Sequence, residues 1–306
     1  MFFFTNYTFV SILVALAALM GLVLVNELTR RNKFVSIAAY IVLPILLTAF
    51  VWRAGDGSSS TGTWFAWVKT YSALAGVIGF MAIRYIPKLQ NNKLALLFPA
   101  LILGLNILEA VYRDVQCFMK GSFVEGGLTI IGGPWNLMNA AAGIILIITM
   151  TGWLGIKVAK TKSQDMIWPD QLWFWIIAYD LWNMAYCYNC LSTRSFYAGF
   201  ILLLSCTLPS FFIKRGAWLQ HRAQTLALWG MFSLTFAYGN SPLFGITTTN
   251  SPASLYTLST LALLSNVAVL IYVIYKANKT KRNFIKEDLF TDLKPYKQAL
   301  VENNLP

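Results

Sequence analysis

The sequence predicts an all-α fold: a polytopic transmembrane helical bundle of about nine spans, N-terminus outside and C-terminus inside. Three observations predict it. Hydrophobic residues make up 57% of the 306 positions and charged residues 12%, roughly half the charged share of a soluble domain. Apolar stretches near the ~20 residues that a bilayer requires recur along the whole chain. Most of the 24 Lys and Arg fall in every second connection, and short basic connections stay on the cytoplasmic side.

The stretches are 7–27, 34–52, 63–84, 94–117, 135–156, 169–190, 196–213, 221–239 and 253–276. Lipid offers no partner to an open backbone, so each is expected to be a helix. The first lacks a basic leader and a small-residue cleavage pattern, and reads as an uncleaved span followed by Glu27, Arg30 and Arg31. Basic clusters follow the first (Arg30, Arg31, Lys33), third (Arg84, Lys88, Lys93), fifth (Lys157, Lys160, Lys162), seventh (Lys214, Arg215, Arg222) and last spans (Lys276 onward). The alternate connections hold only Arg53, Lys120 and Arg194 and are rich in Gly, Ser and Thr: Gly55–Gly62, Gly121–Gly133 and Asn240–Pro252. Ser58 and Thr248 then fall outside, and Ser163 and Asn303 inside. Pro209 is expected to kink the seventh span near its inner end. His221, beside Arg222, reads as solvated or at headgroup level. Residues 1–280 form one transmembrane domain. The tail, 281–306, is polar and cytoplasmic, either a short interfacial helix around Phe284–Leu293 or disordered.

The net charge of +12 is absorbed by these topology signals, so the partners expected are the lipid bilayer and a small apolar or amphipathic ligand, not nucleic acid. No His/Cys/carboxylate cluster has metal-site spacing. No oligomeric state is read from the chain.

Ionisable groups inside a membrane are costly, so each is a functional candidate. On the fourth span Asn106, Glu109 and Arg113 share one helix face by their spacing; the plain alternative is a Glu109–Arg113 ion pair within the helix. Asp114 lies further round, near the interface, and reads as solvated. The sixth span carries Asp180 near mid-membrane with no cation on its own helix, together with Tyr179, Trp182, Asn183, Tyr186, Cys187 and Cys190. The plain reading of its Asn and Tyr residues is helix–helix hydrogen bonding. Asn139 on the fifth span and Lys69 on the third lie in the same half; Lys69 alternatively snorkels to headgroups. The cysteines leave two possibilities: a disulfide from Cys117 to Cys187 or Cys190, or a redox Cys187–Cys190 pair.

Two resemblances follow from these residues. The run Tyr179-Asp-Leu-Trp-Asn183, Tyr186-Cys-Tyr-Asn-Cys190 and Ser195-Phe-Tyr197 resembles a signature of an uncharacterised family of bacterial polytopic membrane proteins, which implies a plasma-membrane location and no assigned chemistry. Asn106-Ile-Leu-Glu109 before Val111-Tyr112 is similar to the Asn-x-x-Trp-Glu segment of integral-membrane terpene cyclases, with Leu108 in place of the Trp. That likeness implies intramembrane acid–base chemistry.

The expected function is an integral membrane enzyme performing double-bond isomerisation or cyclisation on an unsaturated lipid, sterol or isoprenoid in an outer-half cavity. Glu109 and Asp180 are the catalytic carboxyl groups, one donating a proton and the other accepting it. Lys69, Asn106, Arg113, Asn139, Asn183, Tyr186 and Trp182 bind substrate. Such chemistry calls for no cofactor and no metal. The alternatives are a small-solute transporter or a ligand-binding sensor that uses the same cavity.

Overall fold

A computed structural model describes residues 2–55, 59–125 and 128–306. Ser58 lies outside the described residues, as do parts of the connections Gly55–Gly62 and Gly121–Gly133. The chain is mainly helical. Its larger helices are α1 (Phe9–Arg31), α2 (Lys33–Trp52), α3 (Trp64–Tyr85), α4 (Lys93–Lys120), α5 (Pro134–Ile148), α6 (Trp173–Cys190), α7 (Phe196–Phe212), α8 (Trp218–Thr235), α9 (Pro252–Thr280) and α10 (Lys294–Glu302). Among the described residues α1, α2, α3, α4 and α9 are long and apolar enough to cross a membrane, and α5 and α7 are shorter apolar helices.

Local chemistry sets the ends. The Thr8 hydroxyl accepts from the Ser11 amide and the Ser11 hydroxyl accepts from the Thr8 amide, opening α1 with a reciprocal cap. Asn92 caps α4, which ends at Gly121 with φ 68°, a conformation that favours glycine. Pro134 and Pro252 occupy the first turns of α5 and α9, where no backbone donor is missed. α7 continues helically through Pro209 and opens with a π-turn over Phe196–Ile201.

The inner bundle packs α6 against α9, α4 against α5, α3 against α8, α5 against α9 and α7 against α8. α1 and α2 lie outside it, and only 17% of the apolar window of each is buried. Large apolar side chains such as Phe34, Leu94, Met119, Phe212 and Ile271 face outward. At one end, Phe4–Thr5 pairs antiparallel with Thr247–Thr248, and strands Ser122–Glu125 and Leu128–Ile131 form a hairpin in register Ser122 opposite Ile131. This is the hairpin end.

The opposite, tail end departs from the expected spans. α5 stops at Ile148, and α6 begins only at Trp173. Between them Gly152 takes φ 62°, and the strands Lys157–Val158 and Met166–Ile167 pair as a lid across the bundle. Asp165 is the anchor of that lid. It accepts from Arg30 at 2.6 Å, Ser163 at 2.6 Å and Gln220 at 2.9 Å, with Arg84 at 3.8 Å. Burial alone would raise its pKa, but Arg30 and Arg84 outweigh this and hold it below the ordinary carboxylate value.

The tail is neither disordered nor helical over Phe284–Leu293. Its helix is Lys294–Glu302, and the preceding segment docks by backbone contacts: the Leu289 and Phe290 amides donate to Asp170 at 2.9 and 2.8 Å. Phe290 is buried and stacks on Tyr272. Thr248 and Asn303 are also buried rather than solvent-facing. His221 is not solvated: it is fully buried, with Nδ1 2.6 Å from Asn26 Nδ2.

Candidate functional site

A cavity of about 120 Å³ opens among α3, α6, α8 and the start of α7. At the hairpin end its rim is Ser60, Thr63, Arg194 and Tyr238, and its floor is Asn183 and Arg222. From Ser233 to Arg222 on α8 the wall descends ~16 Å at 1.5 Å per residue. The apolar part is Phe65, Leu191, Leu202, Leu226 and Trp229. Close helix packing shapes it: a Cβ on Gly230 would stand 2.7 Å from Thr70 Oγ1, and one on Gly199 2.9 Å from Cys187 Cβ.

Four cations line this space: Lys69, Arg113, Arg194 and Arg222. Two are matched by carboxylates. Arg113 bonds Glu125 on the hairpin and Gln116 on its own helix. Lys69 Nζ donates to Glu109 at 3.2 Å and to the Asn106 carbonyl at 2.7 Å, and Ser72 Oγ also donates to Glu109 at 3.2 Å. The Glu109–Arg113 pair within α4, the plain alternative read from spacing, therefore does not form; Glu109 bonds α3 and Arg113 bonds the hairpin.

The other two cations have no carboxylate within 4.0 Å among the described residues. Arg222 is buried and donates to Tyr179 Oη and Asn183 Oδ1, both at 3.2 Å. Its Nη1 meets no protein acceptor. Arg194 donates from Nη1 to Ser60 Oγ at 2.9 Å and lies over the Tyr238 ring, while its buried Nε is unpartnered. A Cβ on Gly239 would stand 2.5 Å from that Nε, so glycine leaves the guanidinium its room. Tyr186 Oη, also buried and on the cavity wall, has no partner either. A guanidinium left unpaired in a low-dielectric site costs several kcal/mol, so these groups are costly to the empty protein.

Of the expected site residues, Lys69, Arg113, Asn183 and Tyr186 line this cavity; Glu109, Asn106, Asn139, Trp182 and Asp180 do not. Glu109 lies behind Lys69. Asn106 Nδ2 turns back to the Ile102 carbonyl at 3.2 Å. Trp182 Nε1 donates to the Asn139 carbonyl at 3.1 Å and ties α6 to α5. Asp180 faces α7, accepting from Thr207 Oγ1 at 2.7 Å.

Three groups read otherwise from sequence form the rest of the polar interior. Arg222, counted as a loop cation, is the cavity floor. Asp114, expected at the solvated interface, is fully buried; it accepts from Asn136 and Asn139, both at 2.8 Å, and from the Cys190 thiol at 3.3 Å. The four cysteines are free thiols and all buried, so neither Cys117–Cys187 nor Cys117–Cys190 is bridged. Two signals pointed to these placements. Leu103, Ile107, Ala110, Asp114 and Cys117 share the buried stripe of α4, and Gln220, Gln224 and Thr225 continue the polar run around Arg222 into a helix.

Residues 5–302 match a family model described as a family of unknown function, DUF5692. The chain belongs to this family. The match covers nearly the whole chain, including the Tyr179–Tyr197 run. No curated protein and no solved structure matches, and these comparisons show no resemblance to terpene cyclases.

Proposed function

We propose that this chain is a multi-pass protein of the cell membrane, in bacteria the plasma membrane, with nine spans formed by α1–α9. The hairpin end faces outside and the tail end the cytoplasm. The charge of the connections supports this orientation. The tail end carries the basic clusters from Arg30, Arg84, Lys157 and Lys276 onward, and the hairpin end carries few cations. We further propose that the cavity binds a small amphiphile with an anionic headgroup, placing the headgroup between Arg222, Arg194 and Tyr186 and the apolar part along Phe65, Leu226 and Trp229.

One observation carries this reading. The unpartnered groups Arg222 Nη1, Arg194 Nε and Tyr186 Oη are all donors and surround one space. Donors on fixed helices aimed at one volume suit an anion. Acid–base isomerisation by Glu109 and Asp180 is the weaker reading, because neither lines the cavity and each is held by a different helix.

The test is thermal unfolding of the purified chain in neutral detergent with octanesulfonate, octyl phosphate, octanol or octyltrimethylammonium. Ligand at about 100 times its Kd adds about 2.7 kcal/mol, which for a chain of this size raises Tm by about 5 °C. The two anions are expected to give this shift and the other two probes are not. Equal stabilisation by octanol or by the cation overturns the reading.

A further inference from the structure

Beneath the anion cavity a second space opens from the tail end. It is a vestibule of about 190 Å³ lined by Ile176, Ser210, Arg215, Trp218, Pro295 and Gln298. Its upper limit lies one helical turn below Asp180: Ile176 precedes Asp180 by four residues on α6, a rise of ~6 Å. Ser210 follows Thr207 by three residues on α7. Trp218 Nε1 donates to Thr207 Oγ1 at 3.3 Å, and Thr207 Oγ1 donates to Asp180 Oδ2 at 2.7 Å. The other carboxyl oxygen, Oδ1, is buried and has no hydrogen-bond partner.

An aromatic septum separates the two spaces. The Tyr179 ring packs edge-on to Trp218 at 4.7 Å and stacks on Trp175 at 5.7 Å. Arg222 stands on the cavity side of it, bonded to Tyr179 Oη; Asp180 is held by Thr207, one helical turn from Ser210, which lines the vestibule. The titratable groups facing Asp180 are Arg222 from α8, Cys206 from α7 and Tyr179 on its own helix. α9, packed on another face through Asn266 and the Ala178 carbonyl, brings it no charge among the described residues. Arg222 is thus the one cation near Asp180, and the two do not touch.

The geometry points to proton-coupled anion binding: an anion arriving at Arg222 is accompanied by a proton taken up by Asp180 through the tail-end vestibule. This rests on the reading of the cavity as an anion site. The balance is simple. Without ligand, ionised Asp180 offsets the Arg222 charge only in part and from a distance, since no carboxylate among the described residues contacts that guanidinium. When an anion binds Arg222, that offset is redundant and the carboxylate becomes a second, uncompensated negative charge. Binding one proton restores neutrality, and the free Oδ1 is where that proton attaches. A low-dielectric site enforces such compensation more strongly than water does. This gives the anion site a means of responding to the proton gradient of the membrane.

The test is titration calorimetry of octanesulfonate into the purified full chain, in buffers of differing ionisation enthalpy, between pH 6 and pH 9. This probe stays ionised throughout and carries no proton itself. The wild type is expected to take up between half a proton and one proton per bound anion at some pH in that range. Asp180→Asn is expected to bind octanesulfonate with uptake abolished, and Asp180→Glu to restore it. Binding by the wild type with less than a tenth of a proton at every pH overturns the coupling and leaves the anion site standing. So does uptake by Asp180→Asn equal to that of the wild type. Absence of binding by the wild type overturns both readings.

Discussion

Replacing Arg222 by Gln separates a ligand-binding cation from a structural one, because the two roles predict opposite signs for stability. Arg222 makes two long hydrogen bonds, 3.2 Å each to Tyr179 and Asn183, and leaves Nη1 free. A buried charge-assisted bond to an ionised headgroup is worth ~3 kcal/mol when its partner is removed. At 1.4 kcal/mol per tenfold, octanesulfonate is expected to bind about 100-fold more weakly. The ligand-free protein loses up to about 1 kcal/mol for each of the two bonds and is relieved of a desolvation cost of several kcal/mol. Its Tm is therefore expected to hold or rise. Calorimetry and thermal unfolding on the same preparation read both quantities. A Kd within threefold of the wild type refutes the role of Arg222 in binding. A ligand-free protein weakened by more than about 3 kcal/mol refutes the claim that its charge is uncompensated.

Asp165→Asn removes the carboxylate that Arg84 faces and one of the two that hold Arg30, Glu27 at 2.7 Å being the other, and is expected to destabilise the chain by ~2–3 kcal/mol in thermal or denaturant unfolding. The pH dependence has a definite sign. The folded pKa of Asp165 lies below its unfolded value, so its contribution is fully present above the ordinary carboxylate pKa of ~4 and is lost as pH falls through the folded value. Wild-type stability should accordingly drop more steeply than that of Asp165→Asn below about pH 4. For orientation, single cysteines at the exposed positions Asn240, Lys162 and Glu302, in a background lacking the native thiols, should react with an impermeant maleimide in intact cells only at position 240. Labelling of Glu302→Cys from outside overturns the proposed topology.

The helices were legible because a bilayer-length apolar run reads the same whatever it packs against. A helix occupies each predicted stretch, with ends shifted by a few residues except in the fifth, whose helix stops at Ile148, eight residues short of 156. The tail end was not legible. Residues 149–172 mix apolar and polar side chains without a period, and they fold over the bundle because Asp165 and Asp170 meet partners far away in sequence, at Arg30 and at Leu289–Phe290. The tail itself looked polar and free for the same reason: Asp170 binds its backbone amides, and an amide carries no sequence signal. That Lys69, Arg113, Asn183 and Tyr186 line one cavity was legible from depth and helix face. Arg222 was missed because a basic residue near a predicted boundary explains itself as a topology signal. Asp114 was missed because its depth was weighed ahead of the buried stripe on which it lies.

Burial alone does not distinguish function from architecture among these intramembrane groups; which polar atoms stay unmatched, and what space they face, also counts. Asp114 is as deeply buried as any of them, yet both its oxygens are occupied, by two amides and a thiol from α5 and α6. A carboxyl so supplied pins three helices together and has nothing left to offer a ligand. Asn139 serves it from α5, donating to Oδ2 at 2.8 Å. Arg222, Arg194 and Asp180 differ from Asp114 in that each keeps one polar atom buried and unmatched; Arg84 Nη1 and Asp288 Oδ1 are unmatched too, but neither lines the cavity. Native interiors satisfy nearly all such atoms, and an unmatched charge is costlier than an unmatched amide. Two unmatched guanidinium donors at the cavity and the unmatched carboxyl oxygen of Asp180 form a complementary set. An anion settles the first and a proton the second, and neither suffices for both.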